Sequence, residues 1–233
     1  MTHTPLSLQL GAAGGAAFVV LAVIADFFQA PQLPPASAPA DTISAFLVSS
    51  QTGLQRLALL EGLATASLLW FVVSLSRTLR AAEGEAGTLA PVALVGGVAI
   101  AILNWVWCAL IATLAFMAAE QVDGGVRVVF NLSNLVLALM QFPLALFLGA
   151  TAAVPLQTRA LPRWLGWFGA VVAVVGLAGA AGRLLAANGA LGLVGFVLLL
   201  IWLLATSIVL ARRVWAPHSA PSHGAVAARA ALR

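Results

Sequence analysis

The side chains in this sequence that could do chemistry stand inside or at the ends of long apolar runs. Glu61 lies seven residues into a run that opens at Leu54, about 10 Å deep at ~1.5 Å per helical residue. Asp26 sits near the end of the first run, Asn104 in the middle of the third, Arg127 at the start of the fourth and Arg183 at the close of the fifth. Arg127, Asn131, Asn134 and Gln141 follow one another at intervals of four, three and seven residues, which puts them on one face of a helix. A polar side chain in hydrocarbon is costly and needs a partner or a task. Two tasks fit this set. In the first, Glu61 pairs with Arg127 or Arg183, and the amides bond between helices at ~0.6–2 kcal/mol each. In the second, the stripe lines an outward-facing cavity that takes a small polar or amphiphilic ligand, or passes a proton through Glu61.

Other chemistries are absent. The chain has 233 residues, 62% hydrophobic and 8% charged, where soluble domains carry about 25% charge. A soluble shell cannot be made from so few charges, which excludes a soluble enzyme, a nucleic-acid module and a disordered chain. All eleven basic residues are Arg, so no Lys can form a Schiff base. His3, His218 and His223 lie in the tails, which excludes a bis-His haem in the bilayer. Cys108 is the single cysteine and reads as a small apolar filler. No HExxH, GxSxG or paired intramembrane Asp appears. No cofactor and no metal are expected. The net charge of +4 is explained by membrane orientation, so nucleic acid is not an expected partner.

The elements that must position these residues are six spans, near 8–28, 54–75, 91–117, 128–154, 164–185 and 190–210, each long enough to cross a bilayer. The expected fold is an all-α membrane protein, a six-transmembrane-helix bundle with short loops in one domain over 1–211. Residues 212–233 form an expected disordered tail. The side shared by the termini would carry Arg77, Arg80, Arg159, Arg163, Arg212, Arg213, Arg229 and Arg233, against Arg56, Arg127 and Arg183 on the other. That bias places both termini in the cytoplasm, with Trp164, Trp167 and Trp215 at the cytoplasmic boundary. The first run lacks a basic n-region and lies too far from Ala36-Ser37-Ala38 for a cleaved signal, so it reads as a helix. The outer loop 29–52 opens with Pro31, Pro34, Pro35 and Pro39, a semi-rigid spacer. Asp41 then begins either a short surface helix or a simple extension of the second span bending at Gly53. Pro143 should kink the fourth span. Gly11 with Gly15, and the Gly and Ala pairs of the fifth span, mark close helix contacts within the monomer or in a homo-oligomer.

Arg in place of Lys, with abundant Ala, Gly and Val, fits a GC-rich bacterial genome. Phe71-Val-Val-Ser-Leu-Ser-Arg-Thr-Leu-Arg80 with Ala82-Glu-Gly84, then Asn131-Leu-Ser-Asn134, Phe142-Pro143 and Leu161-Pro-Arg-Trp-Leu-Gly-Trp167 resemble segments of the domain-of-unknown-function six-span integral membrane proteins of GC-rich bacteria. The resemblance covers roughly residues 40–175 and implies a six-helix bundle in the inner membrane, with no catalytic residue to carry over. The first expectation is therefore a non-enzymatic structural or regulatory inner-membrane protein, partnered by the lipid bilayer and by a protein or its own copy. The alternative is a small carrier or ligand-binding protein with its site at Glu61 and the fourth-helix stripe.

Overall fold

The computed structural model describes residues 6–31, 33–35, 38–84, 86–120, 125–158, 161–186 and 190–215. His3, Ala36, Ser37, Arg159 and the tail over 216–233 lie outside the described residues. Among the described residues every regular element is helical: α1 (Leu6–Val23), which runs on as a π-helical turn (Ile24–Gln29), α2 (Ala40–Glu83), α3 (Leu89–Ala119), α4 (Val126–Leu139), α5 (Gln141–Thr158), α6 (Arg163–Ala186) and α7 (Ala190–Trp215). With α4 and α5 forming one span, six segments are long and apolar enough to cross a membrane. The chain is a multi-pass membrane protein built as an all-helical bundle.

The spans close into a ring. Each packs on its neighbour in the chain, and α7 returns to α1. Short connections force this arrangement, because a span joined to the next by a few residues can only lie beside it. Glycine sets the closest approaches. A methyl at Gly11 would coincide with the Ser74 side chain, and one at Gly15 with that of Ser207. The GxxxG pair of α1 is thus used inside the monomer, against α2 and α7. On the far side, a methyl at Gly179 would stand 3.0 Å from the backbone of Gly192, so α6 and α7 touch there almost backbone to backbone.

α2 has 44 residues, about 66 Å at ~1.5 Å per residue, twice the ~30 Å of a hydrocarbon core. The segment after the prolines is not a separate helix but extends the second span, the helix running unbroken through Gly53. It is the first part of α2, and its Ile43 and Leu47 are fully buried among Leu114, Ala115 and Phe130 of α3 and α4. Those two side chains, four apart, explain the continuity: they have a core of their own beyond the end of α1. Gln29 and Pro31 lie against α2 at Gly53, where an added methyl would stand 3.4 Å from each, an ordinary van der Waals contact. Asp41 sits in the first turn without a side-chain cap at Pro39, its Oδ1 accepting from Thr42 N–H at 2.9 Å.

The fourth span is interrupted one turn earlier than Pro143. Pro143 has no N–H to return to the carbonyl of Leu139, and α4 ends at Leu139. The ladder resumes with Leu144 N–H on Met140 O at 3.2 Å. At the other end of the bundle, where α1 begins and α7 ends, the Glu83 carboxylate accepts from Leu89 N–H at 3.2 Å and Ala90 N–H at 2.7 Å. It thereby satisfies two orphan donors of α3 and fixes how α2 and α3 start their hairpin. Two apolar cores result. One holds Leu75, Leu79, Ala90 and Leu165 near the termini, and the other holds Leu54, Leu57, Trp107 and Ile111 toward the opposite end. Glu61 and Asn104 lie between them.

Candidate functional site

The α2–α3 hairpin brings Glu61 to its partner. Ser76 Oγ donates to Ala90 O at 3.0 Å. Fifteen residues back along α2 and fourteen on along α3, the antiparallel register sets Glu61 opposite Asn104. Asn104 Nδ2 donates to Glu61 Oε2 at 3.1 Å and to Thr65 Oγ1 at 2.6 Å. Thr65 spends its own hydroxyl proton on the main-chain oxygen of Glu61, 2.7 Å away. Its Oγ1 can then only accept, which fixes which end of the Asn104 amide faces the carboxylate. One Glu61 oxygen is thereby held. The other, Oε1, is buried and meets no N–H or hydroxyl donor among the described residues, in a side chain only 5% exposed that also stands in a side-chain hydrogen bond with Asp26.

Asp26 stands beside it. The wide turn that ends α1, closed by Ala30 N–H on Ala25 O at 2.7 Å, is a π-bulge, a feature frequent at functional sites because it re-aims one residue. Here it accompanies the placing of the Asp26 carboxyl next to that of Glu61. Asp26, Glu61 and Asn104, from three successive spans, form one acidic wall.

The facing wall comes from α4, α5 and α6. Arg183 Nη1 donates to Asn134 Oδ1 at 3.2 Å, and Asn134 Nδ2 donates to Phe130 O at 3.0 Å. Arg183 lies in the last turn of α6, where the helix dipole favours a cation. Gly192 of α7 leaves room for the guanidinium, since a methyl there would stand 3.2 Å from Nη2. Gln141, the first residue of α5, turns its Oε1 to within 2.8 Å of where a methyl on Gly176 would be.

Between the walls lies a cavity of about 390 Å³ to which all six spans contribute, at the small end of the ~300–1,000 Å³ usual for ligand pockets. It is two-sided. Asp26, Glu61, Asn104, Asn134, Gln141 and Arg183 supply its polar lining, with Ala30 and Leu33 of the proline segment at the same end. Phe18, Leu68, Val72, Ile100, Phe147 and Leu203 supply an apolar part toward the termini. Phe147 is fixed there by an edge-on contact with Trp202, with centroids 6.0 Å apart.

Six of the eight polar residues singled out in the sequence thus meet at one cavity. Arg127 and Asn131 do not: both are exposed. The buried face of α4 is centred on Val126, Phe130 and Ser133. At about 100° per residue the polar stripe runs along the edge of that face, so Asn134 and Gln141 fall inside and Asn131 and Arg127 outside. The expected pairing of Glu61 with Arg127 or Arg183 is replaced by the Asn104 bond, while Arg183 takes Asn134. Thr65 was missed, although its position four residues after Glu61 puts it on the same helical face. Cys108 is a buried free thiol in the distal core. Among the described residues no group of three or more His, Cys, Asp or Glu could hold a metal.

Comparison with protein-family models, with curated proteins and with solved structures finds no match. The resemblance to six-span bacterial proteins therefore assigns no family, and function rests on the cavity itself.

Proposed function

We propose that the protein binds a small amphiphilic molecule in the cavity inside its six-helix ring, as a carrier or a membrane-embedded binding protein. We further propose that it sits in a bacterial inner membrane with both termini in the cytoplasm, on the arginine bias, so that the polar end of the cavity faces outward. The observation that carries the reading is the two-sided cavity, with six polar side chains at one end and an apolar pocket at the other. A polar head and an apolar tail would each meet their like. The structural or regulatory reading has in its favour the Glu61–Asn104 and Arg183–Asn134 bonds, which join neighbouring spans. It gives no reason for a cavity between them.

The test is equilibrium binding of labelled octanol, octanoate and octylamine to the full chain in phosphatidylcholine nanodiscs, with empty discs subtracted. At least one should bind saturably near one per chain, and filling the apolar end by Ile100→Trp or Leu203→Phe should abolish it. Absence of saturable binding by all three, or binding indifferent to both filled variants, refutes the proposal.

A further inference from the structure

The ring is sealed between α1 and α7 over only part of its height. We propose that the cavity opens sideways into the bilayer there, between the π-helical turn of α1 and the start of α7, and that its occupant is a hydrocarbon chain of a membrane amphiphile that slides in from the adjoining leaflet. This rests on the binding reading above and adds the source and the route of the ligand to it.

Three observations converge. The first is a stripe on α7. Leu193, Leu200 and Ser207 follow at intervals of seven residues, about two helical turns, so they share one face. Ser207 is 2% and Leu200 6% exposed, whereas Leu193 is 59% exposed. At Ser207 the cover is α1, since a methyl on Gly15 would coincide with that side chain. The same face is bare at Leu193, and yet Leu193 lines the cavity. A side chain that is open to the outside and also part of the cavity wall stands at a mouth.

The second is the path of the chain. α1 packs on both α2 and α7, but the π-helical turn that follows it packs on α2, and among the described residues no comparable packing joins it to α7. Gln29 and Pro31 then lie against α2 at Gly53. A π-bulge bends the helix that carries it. Here the bend takes the chain toward α2, and that parts the seam. The third is the chemistry of the rim. Phe27 and Phe28 on the turn, and Leu191 and Val194 beside Leu193, are exposed. Both edges belong to segments apolar enough to cross a membrane, Gly11–Gln29 and Leu191–Arg212. Large apolar side chains around a mouth fit hydrocarbon, not water.

The order of the cavity agrees with a sideways entry. Asp26 and Arg183 stand near the ends of their spans, while Phe18 and Leu203 line the cavity deeper in theirs. A lipid of the adjoining leaflet has the same order, head at the boundary and chain beneath. Its chain can enter while the head stays at the boundary, so no polar group has to pass through hydrocarbon.

Photolabelling of the full chain in phosphatidylcholine nanodiscs tests the route. The probe is a phosphatidylcholine with a diazirine in the middle of one chain, which is confined to the bilayer. Irradiation should attach it to Phe18, Leu199 or Leu203 in the cavity as well as to outward-facing residues, and octanol should suppress the interior adducts alone. Adducts confined to outward-facing residues such as Trp70 and Val171, with saturable octanol binding intact, overturn the portal and leave the binding reading standing, because the ligand then comes from water. Failure of octanol, octanoate and octylamine alike to bind saturably would bring down the binding reading itself. Exchange kinetics give a second check. Val197 is four residues on from Leu193, part-exposed and outside the cavity lining. Val197→Trp should narrow the gap and slow loading and release of labelled octanol together, by about tenfold, with half-saturation unchanged, because a residue of the passage acts on the barrier and not on the bound state. Leu193→Ala should speed both. Unchanged rates in both variants, or a change in release alone, overturn a portal at this seam.

Discussion

Replacing Asn104 by Leu and Glu61 by Gln should move stability in opposite directions, and the contrast separates a binding site from interhelical glue. Asn104→Leu is nearly isosteric and deletes two bonds, to Glu61 Oε2 at 3.1 Å and to Thr65 Oγ1 at 2.6 Å. At ~0.6–2 kcal/mol for each interhelical bond, the loss is about 1–4 kcal/mol. With ~2–4 °C per kcal/mol for a chain of this size, a mid-range loss of about 2 kcal/mol lowers Tm by about 4–8 °C. Glu61→Gln keeps an oxygen for Asn104 Nδ2 and removes the like neighbour of Asp26. It should leave Tm unchanged or raise it by a few degrees, the usual sign at a site held in a costly state for function. In the double mutant the Asn104→Leu loss should shrink, because a bond to an amide is weaker than one to a carboxylate. Thermal unfolding of the purified chain in one detergent, followed by intrinsic Trp fluorescence, reads all four proteins. A fall for Glu61→Gln as large as that for Asn104→Leu would show the carboxylate to be structural and sink the reasoning. No fall for Asn104→Leu would show that the pair is not formed.

Three further outcomes follow from the packing. Gly179→Ala should cost about 1–3 kcal/mol, because the new methyl meets the backbone of Gly192 at 3.0 Å. Gly62→Ala should be neutral or stabilising by up to about 1 kcal/mol, since a methyl there meets nothing within 4 Å; thermal melts of the two variants side by side check this, and equal effects would show that α6 and α7 do not cross as described. Asn134→Leu should release Arg183 and lower Tm by a few degrees, at ~0.6–2 kcal/mol for the one bond lost, whereas Asn131→Leu, on the exposed side of α4, should not; the reverse order would place the stripe the other way round. For orientation, in a chain with Cys108→Ala, an impermeant maleimide should label Thr42→Cys in intact spheroplasts and Thr88→Cys only after lysis. Both sites are exposed, at opposite ends of the bundle, and the opposite labelling pattern would invert the arginine argument.

The spans were legible because hydrocarbon leaves so little choice: about twenty apolar residues between polar connections can only be a crossing helix. Most of the polar residues that meet were legible for the same reason, since in such a chain each one stands out. The pairing was not. Arg127 and Arg183 looked right for Glu61 by height and charge, but height along the bilayer does not say which spans adjoin. The ring puts α3 beside α2 and α6 across from it, and the amide on the nearer helix took the carboxylate. The counterpart could have been found by hairpin register alone, because Glu61 and Asn104 lie almost equally far from the Ser76–Ala90 contact. The exposure of Asn131 was hidden for a related reason: a polar stripe defines a face only relative to the buried one, and that face of α4 is set by Val126, Phe130 and Ser133. The extension of α2 was the weakest inference, because Ile43 and Leu47 carry the same helical spacing whether they lie on a membrane surface or in a core.

The distinction between glue and site turns on what remains after the bonds are counted. Glue satisfies itself: two polar side chains from neighbouring helices use up one another's donors and acceptors, and the space between them closes. Arg183 with Asn134, and Asn104 with Thr65 and Glu61 Oε2, behave in this way. The atoms they leave over are not scattered through the bundle. Asp26, Glu61 and Gln141 all line the same cavity, from three different spans, while the apolar residues on its other side are large. A bundle that needed only cohesion would lose nothing by filling that space with leucine and would gain the cost of every buried polar group it removed. Filling it is therefore the decisive perturbation. If Ile100→Trp or Leu203→Phe stabilises the chain and abolishes ligand binding together, the cavity is kept open for its occupant, at the expense of the fold; if either variant stabilises the chain and binding persists, the occupant lies elsewhere.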